Sequence, residues 1–170
     1  MYRVARWTFP RAEAIVFNSI WREEIFRIGY PLGSGQARII PPALGQSEQH
    51  VAKNREQVLR FIGRFVGVKN IPRLIVTFLD VAEPAWRLEL IGEGPEQTEI
   101  EALIQARGVS GRVSIIPPLG KAEIAQKIAS AHAVLMPSLS DVSPNVILEC
   151  IAFGTPFLLT EETGFREILG

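Results

Sequence analysis

The feature that most constrains the fold is a repeated alternation of short apolar segments and amphipathic segments. Five strand-like segments start at residues 58, 87, 112, 133 and 156, so their starts lie 21 to 29 residues apart. Each interval leaves room for one helix and two short loops. Residues 71–81, 96–107 and 121–131 within these intervals carry apolar residues at helical spacing. Repeated β-α units of this kind predict an α/β fold with a doubly wound parallel sheet and helices on both faces.

Residues at the ends of two of these helical segments predict where the helices begin and end. Asn70 is a candidate N-cap for the segment 71–81. Gly108 follows the segment 96–107 and can adopt the left-handed conformation that ends a helix.

The beginning of the chain fits this alternation less well. A strand-like segment is followed by a predicted helix over residues 20–28, with Ser19 as its cap and Gly29 as its stop, and a further extended segment begins near residue 37. This region is too small to bury a core of its own, so we expect it to lean on other structure. The predicted organisation is a partial first region, a polar linker and a main domain: 1–44, 45–57 and 58–170.

Composition excludes several classes of function. The 18 basic and 18 acidic residues cancel, which argues against the clustered positive surface that nucleic-acid binding requires. No apolar run reaches the roughly 18 residues of a membrane span, and no signal-peptide pattern opens the chain. The single cysteine, Cys150, excludes an internal disulfide and suits a reducing compartment. We therefore expect a cytoplasmic location, with peripheral membrane association of the full-length protein as an open alternative.

In parallel α/β sheets, ligands bind at the carboxyl ends of the strands. The first such loop contains Gly63, Arg64 and Lys69. A glycine lets a ligand approach the backbone, and two cations beside it suit a diphosphate. A solvated turn with surface cations is the alternative interpretation, and the loop alone does not separate the two.

The next loops do not match common cofactor motifs. Gly92 and Gly94 form part of a dinucleotide-binding pattern, but its third glycine position is occupied by Gln97, which argues against NAD. The Gly-Lys pair at residue 120 lacks the rest of a Walker loop. His50 and His132 have no second ligand at metal spacing, so we expect a structural role for both and no metal site.

The last loop leads into a predicted helix over residues 144–153, with Ser143 as its cap, Pro144 as its first residue and Gly154 as its stop. The N-terminus of such a helix can bind an anion. The helix is apolar on nearly all sides, yet it contains Glu149, a charge that is costly to bury without a partner. Asn145 lies on the same face. Glu149 either contacts a ligand or bonds to an arginine or to backbone groups.

These motifs, taken in order, are similar to those of the donor-binding half of GT-B glycosyltransferases, in particular the large retaining group numbered family four. The shared pattern starts with the Gly-Arg turn and its following lysine, and continues with a Gly-x-Gly loop. It ends with a Pro-Ser strand end, two acids separated by seven residues, and a Gly-x-Pro. Here these are Gly63, Arg64 and Lys69; Gly92 and Gly94; Pro137 and Ser138; Asp141 and Glu149; and Gly154 with Pro156. The resemblance implies a Rossmann-like domain preceded by a short α/β remnant of the acceptor-side domain.

The resemblance also implies a role for each site residue. The residues assigned to the reacting end of the donor are Arg64 and Lys69, which would contact the diphosphate, and Asp141, which would meet hydroxyls of the transferred sugar. The residues assigned to the remaining parts of the donor have three roles. Glu149 would hold the ribose hydroxyls, the backbone of Pro144, Asn145 and Val146 would cradle phosphate, and Ile116 with Pro117 would border the base.

The implied activity is transfer of a hexose from a nucleoside diphosphate-sugar to a glycan, lipid or small acceptor, with retention of configuration and without a cofactor. The sequence departs from the family pattern at Asp141, usually a glutamate, at Pro117, usually a glycine, and at Phe165, where a second glycine is common. The shorter Asp141 implies a different reach or sugar preference. We expect a fragment of a longer enzyme that binds its donor but transfers nothing by itself, because the acceptor would bind through a missing domain.

Two alternatives remain open. The chain can be a non-catalytic domain that binds a nucleotide-sugar or another protein, or it can resemble a nucleotide-sugar epimerase of the same architecture. Intact Arg64, Lys69 and Glu149 argue against the first alternative, whereas Asp141 favours it.

Overall fold

The computed structural model describes residues 7–17, 20–40, 55–141 and 145–163. Two 3-10 turns lie at Phe9–Arg11 and Gly67–Lys69. The remaining regular elements of the described chain are, in order, β1 (Ile15–Phe17), α1 (Ile20–Gly29), β2 (Ala37–Ile39), β3 (Val58–Ile62), α2 (Ile71–Val81), β4 (Arg87–Ile91), α3 (Gln97–Ala106), β5 (Val113–Ile116), α4 (Lys121–Ser130), β6 (Ala133–Met136), α5 (Asn145–Ala152) and β7 (Phe157–Leu159).

The main domain is built on a five-stranded parallel sheet with the strand order β5-β4-β3-β6-β7. Right-handed crossovers with this order place α2 and α3 on one face and α4 and α5 on the other. In agreement with this, α2 packs against α3, and α4 packs against α5. The chain leaves β3 in one direction and returns to lie beside it at β6, so the topological switch point lies between these two strands. The predicted α/β fold with a doubly wound parallel sheet is confirmed.

The burial of the two central strands, β3 and β6, explains why the sequence is mostly apolar along them. All four residues of β6 are buried, as are Val58 and Phe61 of β3. Strands covered by helices on both faces lose the alternation that marks a half-exposed strand. The helices contribute their apolar stripes to the same core, for example Ile71, Ile75 and Ile100, which are fully buried.

A buried cation lies in the middle of this core. Arg60 of β3 is 0% exposed and bonds to the carboxylates of Glu56 and Glu89 at 2.6 and 2.7 Å. Its guanidinium also donates to the Ser130 hydroxyl at 2.8 Å, and Lys127 bonds to Glu89 at 3.0 Å. Burial raises the pKa of Glu89, but hydrogen bonds from Arg60 and Lys127 outweigh it and hold that pKa below its usual value. The network joins β3, β4 and α4.

Two of the three predicted glycine stops are confirmed, whereas Gly29 is itself the last residue of α1 without a left-handed φ, and one predicted cap is wrong. Gly108 and Gly154 have left-handed φ values of 64° and 62°, as the stops require. Asn70 precedes α2, but its side chain makes no capping hydrogen bond. Its φ is 54° because it also ends the preceding 3-10 turn, where its N–H donates to the Gly67 carbonyl at 3.1 Å. A capping side chain requires extended backbone, so the predicted cap is wrong. Ser19, Ser143 and Pro144 lie outside the described residues.

The start of the main domain is fixed by contacts with two helix ends. The Arg55 guanidinium donates to the carbonyls of Ala131 and Gly154 at 3.1 and 2.6 Å, where a cation complements the helix dipole. The Glu56 N–H donates to the Ser130 carbonyl at 2.9 Å. The last residues of the predicted linker 45–57 therefore already contact the domain, and the domain boundaries stay a prediction.

The first region forms a small β-α-β unit in which β1 pairs with β2 in parallel. The rings of Phe9, Phe17, Phe26 and Tyr30 contact one another with centroids 4.8 to 5.3 Å apart. Of the apolar residues in this region whose side chains the structure describes, Phe17 is the buried one. Its assignment to an acceptor-side domain stays a prediction. Across the described ranges, we find no helix with the length and apolar character needed to cross a membrane.

Candidate functional site

The loops after β3 and β6 meet at the switch point. The Leu139 N–H donates to the Val68 carbonyl at 2.8 Å, which joins the two loops directly. This contact brings the turn that carries Lys69 beside Asp141, although 72 residues separate them in sequence. The helix α5 begins just beyond the second loop. The sequence-predicted phosphate residues and acids therefore lie in the loops, or on the helix, that follow the two strands of the switch point, which is where ligands of such sheets bind.

The Gly92 and Gly94 pair has a structural reason. A Cβ atom on Gly92 would lie 2.0 Å from the Gly63 carbonyl oxygen, and one on Gly94 would lie 2.3 Å from the Phe65 carbonyl oxygen. The backbones of the loops after β3 and β4 approach this closely because the Phe65 N–H donates to the Glu93 carbonyl at 2.8 Å. The two glycines therefore let one loop brace the turn that carries Arg64.

Arg64 points to solvent from this turn. Its side chain is exposed and makes no hydrogen bond or ion pair with another described residue. It lines an open cavity of about 410 Å³ with Glu93, Gly94 and Gln97. An unpaired guanidinium next to a rigid turn is free to form a bidentate contact with an anion.

Lys69 differs from Arg64 because it already has a partner. Its ammonium group forms an ion pair with the Asp141 carboxylate, and each side chain is only 16% exposed. The backbone of Asp141 is held as well, through a parallel bridge with Thr163. The structure brings Lys69 and Asp141 together, but it does so by pairing them with each other. Their contacts with diphosphate and with sugar stay predictions.

The helix α5, which follows the loop after β6, carries Glu149. Val146, Ile147, Leu148 and Cys150 are buried, whereas Asn145 at the first turn is exposed. Glu149 is half-buried, and it makes no hydrogen bond or ion pair with the described residues. Burial raises the pKa of its carboxyl group, and the positive charge of Lys121 lowers it by a smaller amount. Within the described chain, the alternative that Glu149 bonds to an arginine or to backbone groups is not observed.

Lys121 is a site residue that sequence reasoning missed. It is the first residue of α4, in the loop after β5, and it acts electrostatically on Glu149. The sequence marks this lysine only by the pair Gly120-Lys121, which lacks the rest of a Walker loop. Two helices on the same face of the sheet bring Lys121 near Glu149, and no local pattern shows this.

The residues predicted to border the base lie at the end of β5. Ile116 is half-buried and its carbonyl accepts a hydrogen bond from the Gly92 N–H at 2.9 Å, while Pro117 is exposed. Pro144 lies outside the described residues. The cradle and base-binding roles of these residues stay predictions.

Other reactive side chains are not arranged for chemistry. Burial, reinforced by the Glu149 charge and opposed by Arg55, raises the pKa of the Cys150 thiol to about 12, so it is not a nucleophile at neutral pH. The His132 ring contacts Trp86 edge-on with centroids 4.6 Å apart. Within the ranges that the structure describes, no three His, Cys, Asp or Glu side chains gather as a metal site.

The fold defines an α/β domain with the doubly wound parallel sheet of the GT-B glycosyltransferase type. The family model described as glycosyl transferases group 1 matches residues 45–170. The chain belongs to this family, and the resemblance predicted from the sequence is confirmed. Assignment to family four stays a prediction.

Relatives and a solved structure agree with this assignment. The chain is similar to the exopolysaccharide phosphotransferase of Streptomyces coelicolor, with 27% identity over 88% of this chain and 16% of the relative. It is also similar to the alpha-D-kanosaminyltransferase of Streptomyces kanamyceticus, with 23% identity over 86% of this chain and 39% of the relative. The fold matches that of Anabaena HepE, crystallised with UDP and glucose. The TM-score is 0.81 at 20% identity, over 99% of this chain and 50% of that one.

The chain thus spans well under half the length of these two relatives and half of the HepE chain.

Proposed function

We propose that this chain is the donor-binding domain of a hexosyltransferase that uses a nucleoside diphosphate-sugar. The observation that supports the proposal is the origin of three charged residues in the elements that flank one switch point: Arg64 and Lys69 follow β3, and Glu149 lies on α5, the helix after β6. Arg64 and Glu149 have no partner within the described chain, and Glu149 carries a charge that burial disfavours. A ligand with both a diphosphate and a vicinal diol would satisfy both groups.

The proposed division of labour follows from charge. The Arg64 guanidinium binds the diphosphate, because charge-assisted bidentate contacts are the strongest hydrogen bonds available here. The Glu149 carboxylate accepts hydrogen bonds from the two ribose hydroxyls. The backbone at the start of α5, near Asn145, supports phosphate with the positive end of the helix dipole. Ile116 and Pro117 border the base.

The proposed chemistry depends on the same cations. As the glycosidic bond breaks, negative charge grows on the departing diphosphate, and groups already aimed at it stabilise the transition state. Arg64 and Lys69 supply this charge in the proposal, and Asp141 contacts hydroxyls of the transferred sugar. The acceptor binds to polypeptide outside this chain, so we expect the isolated chain to bind donor without transferring sugar.

UDP and UDP-glucose are the first probes, because the HepE structure was determined with UDP and glucose. Isothermal titration calorimetry with UDP, UDP-glucose, GDP and ADP would identify the preferred base. Uridine is the reference ligand, because it carries the diol but no phosphate.

The decisive comparison is Arg64→Ala against Arg87→Ala. Arg87 is an exposed arginine at the first residue of β4, at the opposite end of the sheet. We expect Arg64→Ala to weaken nucleoside diphosphate binding roughly ten- to hundredfold, the equivalent of about 1.5–3 kcal/mol, and to leave nucleoside binding nearly unchanged. Arg87→Ala should change neither. Equal losses for nucleoside and diphosphate would remove the assignment of Arg64.

A second candidate is a domain that binds a nucleotide-sugar without taking part in transfer. The pairing of Asp141 with Lys69 favours it, because it occupies the acid that would otherwise contact the sugar. Binding of UDP and UDP-glucose with equal affinity would support this candidate, since the sugar would then make no contact.

A further inference from the structure

The Lys69–Asp141 ion pair lies between two loops that are fixed independently of it. On one side, the Lys69 N–H donates to the Val66 carbonyl at 2.8 Å within the 3-10 turn. On the other side, the Asp141 N–H donates to the Glu162 carbonyl at 3.3 Å. The direct bond between Leu139 and Val68 fixes the distance between the loops. The ion pair is therefore a built feature of the switch point.

This pair changes the charge that an incoming diphosphate meets. Arg64 presents a full positive charge with no partner in the described chain, whereas the charge of Lys69 is offset by Asp141 at low exposure. A diphosphate that binds between them is attracted by one net cation, with a carboxylate held nearby. Coulomb energies between groups that are mostly shielded from water are larger than those at an open surface.

The two candidate ligands of the site differ in charge. A sugar-linked diphosphate is a diester in which each phosphate carries one negative charge. In a free nucleoside diphosphate the terminal phosphate is a monoester with a second pKa near about 6, so at neutral pH it carries most of a further negative charge. A carboxylate fixed beside the outer phosphate therefore repels the free diphosphate more strongly than the sugar-linked form.

We propose that Asp141, through its ion pair with Lys69, lowers the affinity of the site for the free nucleoside diphosphate and so favours the sugar-linked donor over the product. This role rests on the proposed function. It makes Asp141 a positioning residue for Lys69, in addition to any contact that it makes with the sugar. In a transferase the same repulsion between Asp141 and the free diphosphate speeds release of the nucleotide product.

The test is the affinity of the chain for UDP. Asp141→Asn removes the charge and keeps the shape, so it leaves the Lys69 cation uncompensated. We expect this variant to bind UDP about three- to tenfold more tightly than the unmodified chain. UDP-glucose binding should gain less or weaken. Loss of a sugar contact alone would leave UDP binding unchanged, so tighter UDP binding separates the two roles.

Two matched variants control the charge. Asp141→Glu keeps the carboxylate and should bind UDP as the unmodified chain does. Glu162→Gln removes an exposed carboxylate that forms no ion pair with Lys69 in the described chain, and should leave UDP affinity within about twofold. Circular dichroism checks that each variant is folded, and Asp141→Ser replaces Asp141→Asn if the latter does not fold.

The outcomes distinguish this inference from the proposed function. Unchanged or weaker UDP binding by Asp141→Asn, with UDP bound by the unmodified chain, overturns the inference alone. An equal gain in UDP affinity for Glu162→Gln and Asp141→Asn also overturns the inference, because the effect would then come from the loss of any nearby negative charge. If the unmodified chain binds none of UDP, UDP-glucose, GDP and ADP, the proposed function fails and the inference fails with it.

Discussion

Glu149→Gln should make the ligand-free chain more stable and its ribonucleotide complex weaker. The side chain is half-buried in α5, its pKa is raised by burial, and it has no hydrogen-bonding partner in the described chain. Folding thus removes water from a carboxylate and gives it nothing in return except the distant charge of Lys121. Glutamine has the same size and carries no charge, so the substitution removes this cost.

The pH dependence of this effect has a definite sign. The folded-state pKa of Glu149 lies above the usual value of 4.5, so between the two the folded chain binds more protons than the unfolded chain. Stability must then fall as the pH rises through that interval. Below pH 4.5 both forms of the chain carry the neutral acid, and the variant gains nothing. As the pH rises above 4.5, the variant should have an increasingly higher Tm than the unmodified chain.

The binding effect is opposite in sign. Two ribose hydroxyls that donate to a carboxylate form charge-assisted hydrogen bonds, and their loss costs about 1.5–3 kcal/mol. We expect Glu149→Gln to raise the Kd for UDP and for uridine alike, roughly ten- to hundredfold.

Thermal melts at pH 4 and pH 7, with titration calorimetry of UDP and uridine, measure both effects. Glu99→Gln, an exposed acid on α3, is the matched control and should change neither quantity. A lower Tm of Glu149→Gln at pH 7 would contradict the conclusion that the Glu149 carboxylate is unpaired. Unchanged uridine affinity of this variant would contradict the proposed ribose contact.

Three further substitutions or measurements test the fold that holds the site. Gly92→Ala should destabilise the chain by roughly 1–3 kcal/mol in urea unfolding, because its Cβ would meet the Gly63 carbonyl oxygen. Gly111→Ala, which has open space, should be nearly neutral, and equal effects would contradict the close approach. Arg60→Met should cost roughly 1–3 kcal/mol because the half-buried Glu89 loses its closest ion-pair partner and keeps only Lys127, and Arg60→Met with Glu89→Met should recover most of this loss. A single-variant cost below about 1 kcal/mol would show that the network is unimportant. Cys150 should resist thiol reagents at pH 8 until the chain unfolds, since burial raises its pKa to about 12, and rapid labelling of the folded chain would contradict its burial.

Much of the fold could be predicted from the sequence because its determinants are local. The central strands are apolar except at Arg60, the helices show regular spacing, and Gly108 and Gly154 mark two helix ends. The prediction that Asn70 caps α2 was wrong, and the reason is also local. A 3-10 turn before α2 fixes its backbone in a conformation from which the side chain cannot cap.

The sequence predicts which residues belong to the site, and this membership stays a prediction, but the sequence did not show how these residues pair with one another. Arg64, Lys69, Asp141 and Glu149 were identified because their order and spacing match a family pattern. Their contacts depend on which loops the topology brings together, and sequence spacing does not contain this information. For the same reason the sequence did not show that Lys69 pairs with Asp141 or that Lys121 acts on Glu149.

Buried charge was the other feature that escaped prediction. Arg60 interrupts the apolar strand β3, and its partners come from three separate parts of the chain. A charged residue within an apolar strand predicts either an exposed edge or a buried ion network, and only the three-dimensional arrangement of β4 and α4 decides between them.

The most direct test of the account is a crystal structure of the chain with bound UDP. The account predicts the diphosphate in contact with the Arg64 guanidinium and with the start of α5. It predicts the ribose hydroxyls about 2.5–3.0 Å from the Glu149 carboxylate oxygens. Nucleotide bound away from the loops after β3 and β6, or ribose turned away from Glu149, would contradict it.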